Sequence, residues 1–351
     1  MLSDEVFYYL CLLRINGLGG CRVMDLVKNN GTARNAWESL QSSTTIKDEI
    51  SNGVRREIDK AQDLGFWLSC PASYSFPLNL SYFPQVAPVI YGKGEFHIVD
   101  EQSLAVVGTR RLSDYGKEVT EFFVQGLIMA KVTIVSGLMR GIDTIAHRTA
   151  LKFGGRTIAV LGSGINVIVP PENSDLYHEI AKNDAVVSQF SLDTQPTKFT
   201  FPIRDELIAA LSRAILVIEA PEKSGALLTA KFALDQGKEV YVIPGEIFSQ
   251  QSVGCHELIK SGARLVTKPE EILEDLGLSS SVISKSLVDL DNTDLTSEEK
   301  AILSLLSEGV KETNELIRRA GLATNIVSST LAMLEIKGLV KQMGSSEYRL
   351  L

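Results

Sequence analysis

Apolar and polar positions follow two different periods along this chain, and the changes between them divide it. Apolar residues recur at helical spacing at Val6, Leu10 and Leu13 and again at Val23, Leu26 and Val27, which predicts an all-α segment over 1–65. The stretch 66–102 breaks that rhythm with Pro71, Pro77, Pro84 and Pro88 set among Tyr74, Phe76, Tyr82 and Phe83. Prolines so close together exclude long elements, so this reads as a linking lobe, with Val89-Ile90-Tyr91-Gly92 as a short last strand. Across 103–276 short apolar runs alternate with helical patterns, which predicts a mostly parallel sheet with helices on both faces. The Ser- and Asp-rich stretch 277–294 reads as a linker. In 295–351 a capping box, Thr296-Ser297-Glu298-Glu299, opens the first of three helical patterns, and two short strand patterns follow. Three helices and a hairpin describe a winged helix.

Four of the central apolar runs end in small, glycine- or serine-rich turns. Leu104 to Val107 leads into Gly108-Thr109-Arg110-Arg111, and Val132 to Val135 into Ser136-Gly137. Thr157 to Leu161 leads into Gly162-Ser163-Gly164, and Ala214 to Ile218 into Pro221-Glu222-Lys223-Ser224-Gly225. Ligands of open parallel sheets bind outside the carboxyl ends of the strands. A glycine there lets amides approach a phosphate, and a following helix adds its dipole. These turns therefore predict an anion site, with Arg110 supplying charge. Arg204 in Phe201-Pro202-Ile203-Arg204 puts a guanidinium near a helix start, where the dipole favours an acid, so an anionic partner is expected. Lys198 beside Phe199 and Phe201 combines a cation with aromatics, the pairing that follows a backbone and stacks a base in single-strand sites.

Composition restricts the partner. With 44% hydrophobic and 22% charged residues the chain is globular, and a net charge of −8 with pI about 5.2 argues against a protein coated in positive charge. Any nucleic-acid site must be local. Cys11, Cys21, Cys70 and Cys255 show no C-x-x-C spacing, so neither zinc nor a disulfide framework is indicated. No apolar run reaches membrane-spanning length, and a cytoplasmic location is expected.

Catalytic constellations are scarce. Asp143 and His147 lie four apart on one helix, a spacing that could poise a base, but a helix-surface hydrogen bond is the simpler reading. No nucleophile elbow, P-loop or metal-ligand set is present, so no enzyme, cofactor or metal is expected. Ile15-Asn16-Gly17-Leu18-Gly19-Gly20 has the form of a helix-hairpin-helix turn, although glycine ends helices whatever the ligand.

Taken together, Val107-Gly108-Thr109-Arg110, Ser113, Tyr115-Gly116, Ser136-Gly137-Leu138, Gly141-Ile142-Asp143, Gly155 through Gly164, Phe201-Pro202-x-Arg204, Glu219-Ala220, Ser224-Gly225-Ala226 and Pro244-Gly245 resemble the DNA-processing DprA family, also called Smf. The resemblance implies an extended Rossmann domain that binds single-stranded DNA at its strand ends, forms a homodimer and loads the recombinase RecA onto incoming DNA during natural transformation. It also implies flanking helical and winged-helix domains and no catalytic residue. By that resemblance Gly162, Ser163 and Gly164 cradle a phosphate, Arg110, Lys198 and Arg204 pair with the backbone, Phe199 or Phe201 meets a base, and the region from Gly254 to Leu265 forms the dimer.

Two departures stand out. Asp205-Glu206 puts two acids after the arginine, and Ser188-Gln189 replaces a Ser-Glu pair. Acids also outnumber bases over Ser103 to Asp275, which predicts weak, salt-sensitive DNA binding. The winged helix balances its charges and offers only Lys337 near the end of its third helix, which favours a protein contact over duplex reading. A nucleotide-processing hydrolase of the Lonely-guy phosphoribohydrolase type is the enzymatic alternative, although Pro221-Glu222-Lys223-Ser224-Gly225-Ala226 lacks its Pro-Gly-Gly-x-Gly-Thr signature. A nucleotide-sensing adaptor is the third reading.

Overall fold

The structure is a computed structural model that describes residues 4–40, 44–278, 296–307, 312–337, 339–343 and 347–350. Most of the expected linker at 277–294 lies outside the described residues. The amphipathic N-terminal pattern forms four helices, α1 (Asp4–Leu13), α2 (Gly20–Asn30), α3 (Ala33–Ser39) and α4 (Thr44–Asp63). Thr32 caps α3 by accepting from the Asn35 amide, as a short hydroxyl does at a helix start.

Nine strands follow in one sheet: β1 (Trp67–Ser69), β2 (Ile90–Gly94), β3 (Ser103–Val107), β4 (Thr133–Ser136), β5 (Thr157–Val160), β6 (Ala185–Ser188), β7 (Ala214–Val217), β8 (Glu239–Val242) and β9 (Arg264–Leu265). Their order across the sheet is β1-β2-β6-β5-β4-β3-β7-β8-β9. All neighbours from β6 to β9 are parallel, whereas β2 runs antiparallel to β6 and β1 antiparallel to β2. The proline-rich stretch is thus more than a linking lobe, because its two strands extend the sheet as an antiparallel edge. Proline excludes long elements, and the two strands flank the prolines, β1 ending before Pro71 and β2 starting after Pro88.

The helices between the strands are α5 (Leu78–Ser81), α6 (Asp114–Met129), α7 (Ile142–Lys152), α8 (Ser174–Asn183), α9 (Thr200–Leu211), α10 (Gly225–Asp235) and α11 (Val253–Lys260), and α12 (Pro269–Asp275) follows β9. Successive strand residues point to opposite faces, and both faces are buried. Ile158 and Val160 of β5 join one apolar core, while Ala159 and Leu161 join the other. The second of these cores also holds Val6, Leu10, Val23, Trp37 and Val54, so α1 to α4 cover one face of the sheet instead of forming a core of their own.

The C-terminal unit has its own core of Ile302, Leu306, Leu316, Val327, Leu331, Leu334 and Val340. It consists of α13 (Ser297–Ser307), α14 (Thr313–Ala320), α15 (Thr324–Ile336) and an antiparallel hairpin, β10 (Val340–Met343) with β11 (Glu347–Leu350). The capping box forms as expected: Glu299 N–H donates to Thr296 Oγ1 and Thr296 N–H to the Glu299 carboxylate. Lys337 donates to the same carboxylate at 2.7 Å. The cation at the end of α15 therefore neutralises a buried acid of its own unit. The solvent side of α15 carries Ile326 and Met333.

Candidate nucleic-acid interface

The four glycine-bearing turns come from β5, β4, β3 and β7, which are consecutive neighbours in the sheet. Their carboxyl ends therefore line one edge. Between the ends of β3 and β7 lies an open cleft of about 430 Å³, lined by Gly108, Arg110, Arg111, Lys223, Ser224 and Gly225 and, deeper, by Asp143, Arg204 and Asp205.

The rim is built from two turns. Thr109 N–H donates to Glu219 O at 2.7 Å, and the Glu219 carboxylate accepts from the Ser113 amide and hydroxyl. Buried Glu219 thus ties the turn after β3 to the end of β7. Gly141, at φ +83°, lies so close that a Cβ would stand 2.3 Å from Thr109 O, so only glycine lets the start of α7 approach this turn. Arg110 and Arg111 project outward, exposed, and the Arg110 guanidinium rests 4.9 Å from the Phe201 ring centroid, within cation–π range. Across the cleft Ser224 caps α10 by accepting from the Ala226 amide. Exposed Gly225 opens that helix beside exposed Lys223. An α-helix start with a cation beside it favours an anion.

The inner wall is different. Arg204 is only 4% exposed. Its Nη1 donates to Gly137 O at 2.6 Å and Val160 O at 3.2 Å, and Nε lies 2.9 Å from Asp205 Oδ1. The expectation that Arg204 pairs with a nucleic-acid backbone is therefore corrected, because its guanidinium fastens α9 to the ends of β4 and β5. Asp205, one of the two acids that follow the arginine, lines the cleft from within its wall, buried against Arg204. Burial, with help from Asp143, pushes its carboxyl up to about 6 against the opposing pull of Arg204. Burial raises Asp143 as well, again opposed by Arg204.

Three of the other turn glycines serve the protein itself. A Cβ at Gly137 would stand 1.7 Å from Arg204 Nη1, and one at Gly162 would stand 2.9 Å from the Phe201 ring. Each makes room for a side chain of α9. At Gly164 a Cβ would lie 2.5 Å from Ser191 O, and its N–H donates to Thr194 O at 2.9 Å. Ser163 is buried and donates to Val167 O, and Ser136 is buried and donates to Val106 O. The expected cradle of Gly162, Ser163 and Gly164 thus lies inside the protein, with the Gly164 amide already bonded.

Asp143 and His147 also sit differently from the surface pair that their spacing suggests. Both are buried, and they take different partners. Asp143 accepts from the Met139 amide, and His147 Nδ1 lies 2.6 Å from Thr157 Oγ1. Burial pushes His147 down to about 3, so it is neutral. Phe199 is 70% exposed with Lys198 Nζ 5.1 Å from its ring centroid, while Phe201 is half-buried between Arg110 and Arg204. Of the residues expected at the site, Arg110, Lys198, Phe199, Lys223 and Gly225 face solvent. Arg111, next to Arg110 on the same turn, joins them at the cleft. Its signal was its place on a strand-end turn. Among the described residues no group of acids, histidines or cysteines could hold a metal, and no helix is long and apolar enough to cross a membrane.

Comparison with known proteins identifies the family. The model of the DNA recombination-mediator protein A family matches residues 67–277, and that of the DprA winged helix domain matches 291–345. Protein Smf of Escherichia coli is 36% identical over 296 residues, covering 81% of this chain and 79% of the relative. An X-ray structure of DprA from Streptococcus pneumoniae superposes with TM-score 0.67 at 32% identity, covering 78% of this chain and 98% of that one. DprA from Helicobacter pylori, whose structure is described in terms of its single-stranded DNA binding mode, superposes with TM-score 0.54 at 27% identity over 60% of this chain and 95% of that one. With both its sheet and its winged helix matched in order, the chain belongs to the DprA/Smf family of DNA recombination mediators.

Proposed function

We propose that this chain binds single-stranded DNA along the rim of the β3–β7 cleft. Arg110, Arg111, Lys223 and the start of α10 take successive phosphates, and Lys198 with Phe199 takes a further phosphate and a base. The observation that carries this reading is the exposure of four cations, a helix start and an unstacked aromatic along one sheet edge, in a protein whose overall charge is negative. A mononucleotide needs one such turn; two facing turns, with Lys198 and Phe199 beyond them, suit linked phosphates. The family and the Helicobacter pylori relative's described ligand support the same reading. The chain acts in turn as a mediator that protects incoming DNA and loads RecA during natural transformation, as a cytoplasmic homodimer without catalysis of its own.

Titration of an oligo(dT) and a duplex at several salt concentrations tests this. Four phosphates neutralised by the four cations give a slope of log affinity against log salt of about −3 on single strands. Duplex should bind more weakly. The double change Arg110→Glu and Lys223→Glu should lower oligo(dT) affinity at least about tenfold and flatten the slope by about 1.5, with an unchanged melting temperature. Unaltered binding by that variant would remove the site, and release of free base from nucleoside monophosphates would establish the hydrolase instead.

A further inference from the structure

The proposed DNA contact at Lys198 and Phe199 sits on a connection of irregular backbone between β6 and α9, yet that connection is held from three sides. On the sheet side Gly164 N–H donates to Thr194 O, and Asn166 makes a reciprocal pair with Asp193: its amide donates to Asp193 Oδ1, and its Oδ1 accepts the Asp193 N–H, both at 2.8 Å. On the core side Leu192 is buried among the residues shared by the sheet and the N-terminal helices. On the third side two cations of the N-terminal helices reach across. Arg14, just after α1, donates to Ser191 Oγ and to Glu57, and Lys60 of α4 pairs with Asp193 Oδ2. Glu57 is held in turn by Tyr91 Oη at 2.7 Å.

Asp193 itself adopts φ +64°, a left-handed conformation that aspartate tolerates better than most residues but that persists only where the surroundings over-determine it. Three side-chain hydrogen bonds to its amide and carboxylate do so here. The Lys60–Asp193 pair is exposed on both sides, at 51% and 62%, and such a pair adds little to global stability. Its effect is local: it fixes a turn five residues before Lys198.

We propose that the N-terminal helices position the DNA-contacting arm, with Arg14, Lys60 and Asp193 as positioning residues that never touch DNA. This inference rests on the reading of Lys198 and Phe199 as DNA contacts. An arm ordered before binding loses less conformational freedom on binding than a loose one, so the clamp tightens the complex without adding a contact.

The test uses the full chain and oligo(dT). Arg14→Ala with Lys60→Ala should weaken binding about fivefold. Because losing two positive charges would itself weaken binding, Asp193→Gly is the decisive variant. Glycine keeps the left-handed backbone and the N–H bond to Asn166 Oδ1 but drops the carboxylate's bonds to Lys60 and to the Asn166 amide, and the change makes the arm less negative. Charge alone would tighten binding; loss of positioning weakens it. Trypsin cleavage after Lys198 should also accelerate in both variants while the melting temperature holds. In a double-mutant cycle Lys198→Ala should cost affinity in the wild type and much less in the Asp193→Gly background. Tighter binding by Asp193→Gly, unchanged cleavage, or strict additivity would overturn the clamp while leaving the DNA site intact. No effect of Lys198→Ala in the wild type would instead remove the arm from the DNA site, and the clamp's purpose with it.

Discussion

Ser163-Gly164 follows β5 and Ser224-Gly225 follows β7, so the same dipeptide stands at two ends of one parallel sheet. Around Gly225 the nearest obstacle to a Cβ is Asp205 Oδ2 at 3.6 Å, and the residue opens α10 into a solvent-filled cleft. Around Gly164 backbone atoms of the connection after β6 lie within 3.0 Å of a Cβ position, and the N–H is bonded to Thr194 O. One turn stays open at the proposed DNA path and the other receives the chain. A glycine at a strand end signals close approach, and what approaches depends on whether a helix starts at once. It does at Gly225. After Gly164 the backbone continues as a loop that packs on its neighbour.

The two arginines divide in the same way and give the largest expected effect. Arg204→Glu would place a third acid against Asp143 and Asp205 and release the carbonyls of Gly137 and Val160. Breaking a buried ion pair costs about 3–5 kcal/mol, so thermal unfolding of this variant should show a drop of many degrees. Arg110→Glu, on an exposed turn, should leave the melting temperature within a degree or two and remove DNA affinity. Equal melting temperatures for the two variants would erase the distinction between rim and wall.

These contrasts mark what the residue pattern could and could not reveal. The order of the β/α units, the winged helix and the edge bearing the turns were legible, because period-2 and period-3.6 patterns and strand-end glycines report local structure directly. The antiparallel edge from the proline-rich stretch was less so, since three-residue strands such as β1 carry almost no periodicity. The roles of Arg204, Gly137 and Gly162 were not legible singly. Phe201 and Arg204 fill the spaces those glycines leave, a relation between residues 39 and 67 positions apart. Arg204 looked like an anion reader because dipole logic sees only its own helix, while two buried acids and two carbonyls decide where it points.

Backbone crowding gives the next effect. Gly164→Ala forces a Cβ to within 2.5 Å of Ser191 O and should cost about 1–3 kcal/mol by overpacking, measured by denaturant unfolding. Once folded it should still bind oligo(dT), with the loss confined to what displacement of the arm causes. Gly225→Ala should change stability by less than about 1 kcal/mol, yet weaken binding by crowding the phosphate path. Reversal of that pattern would make Gly164 the ligand turn.

The smallest effect concerns pH and separates wall from rim without altering a cation. Asp205 titrates near 6 in the folded protein against 3.8 for an ordinary aspartate. The folded state therefore binds more protons than the unfolded state between those values, and this group's contribution to stability declines as pH rises from about 4 to 6 and is constant above. Protonation as pH falls through 6 also removes a negative charge from the cleft wall, while His147, already neutral, stays out of this range. Oligo(dT) affinity at fixed salt should thus rise about two- to threefold between pH 7.5 and 5.5. Asp205→Asn should bind at the higher level throughout and lose the slope. A pH profile unchanged by that substitution would mean that the wall is electrically silent and that the rim alone sets the field at the cleft.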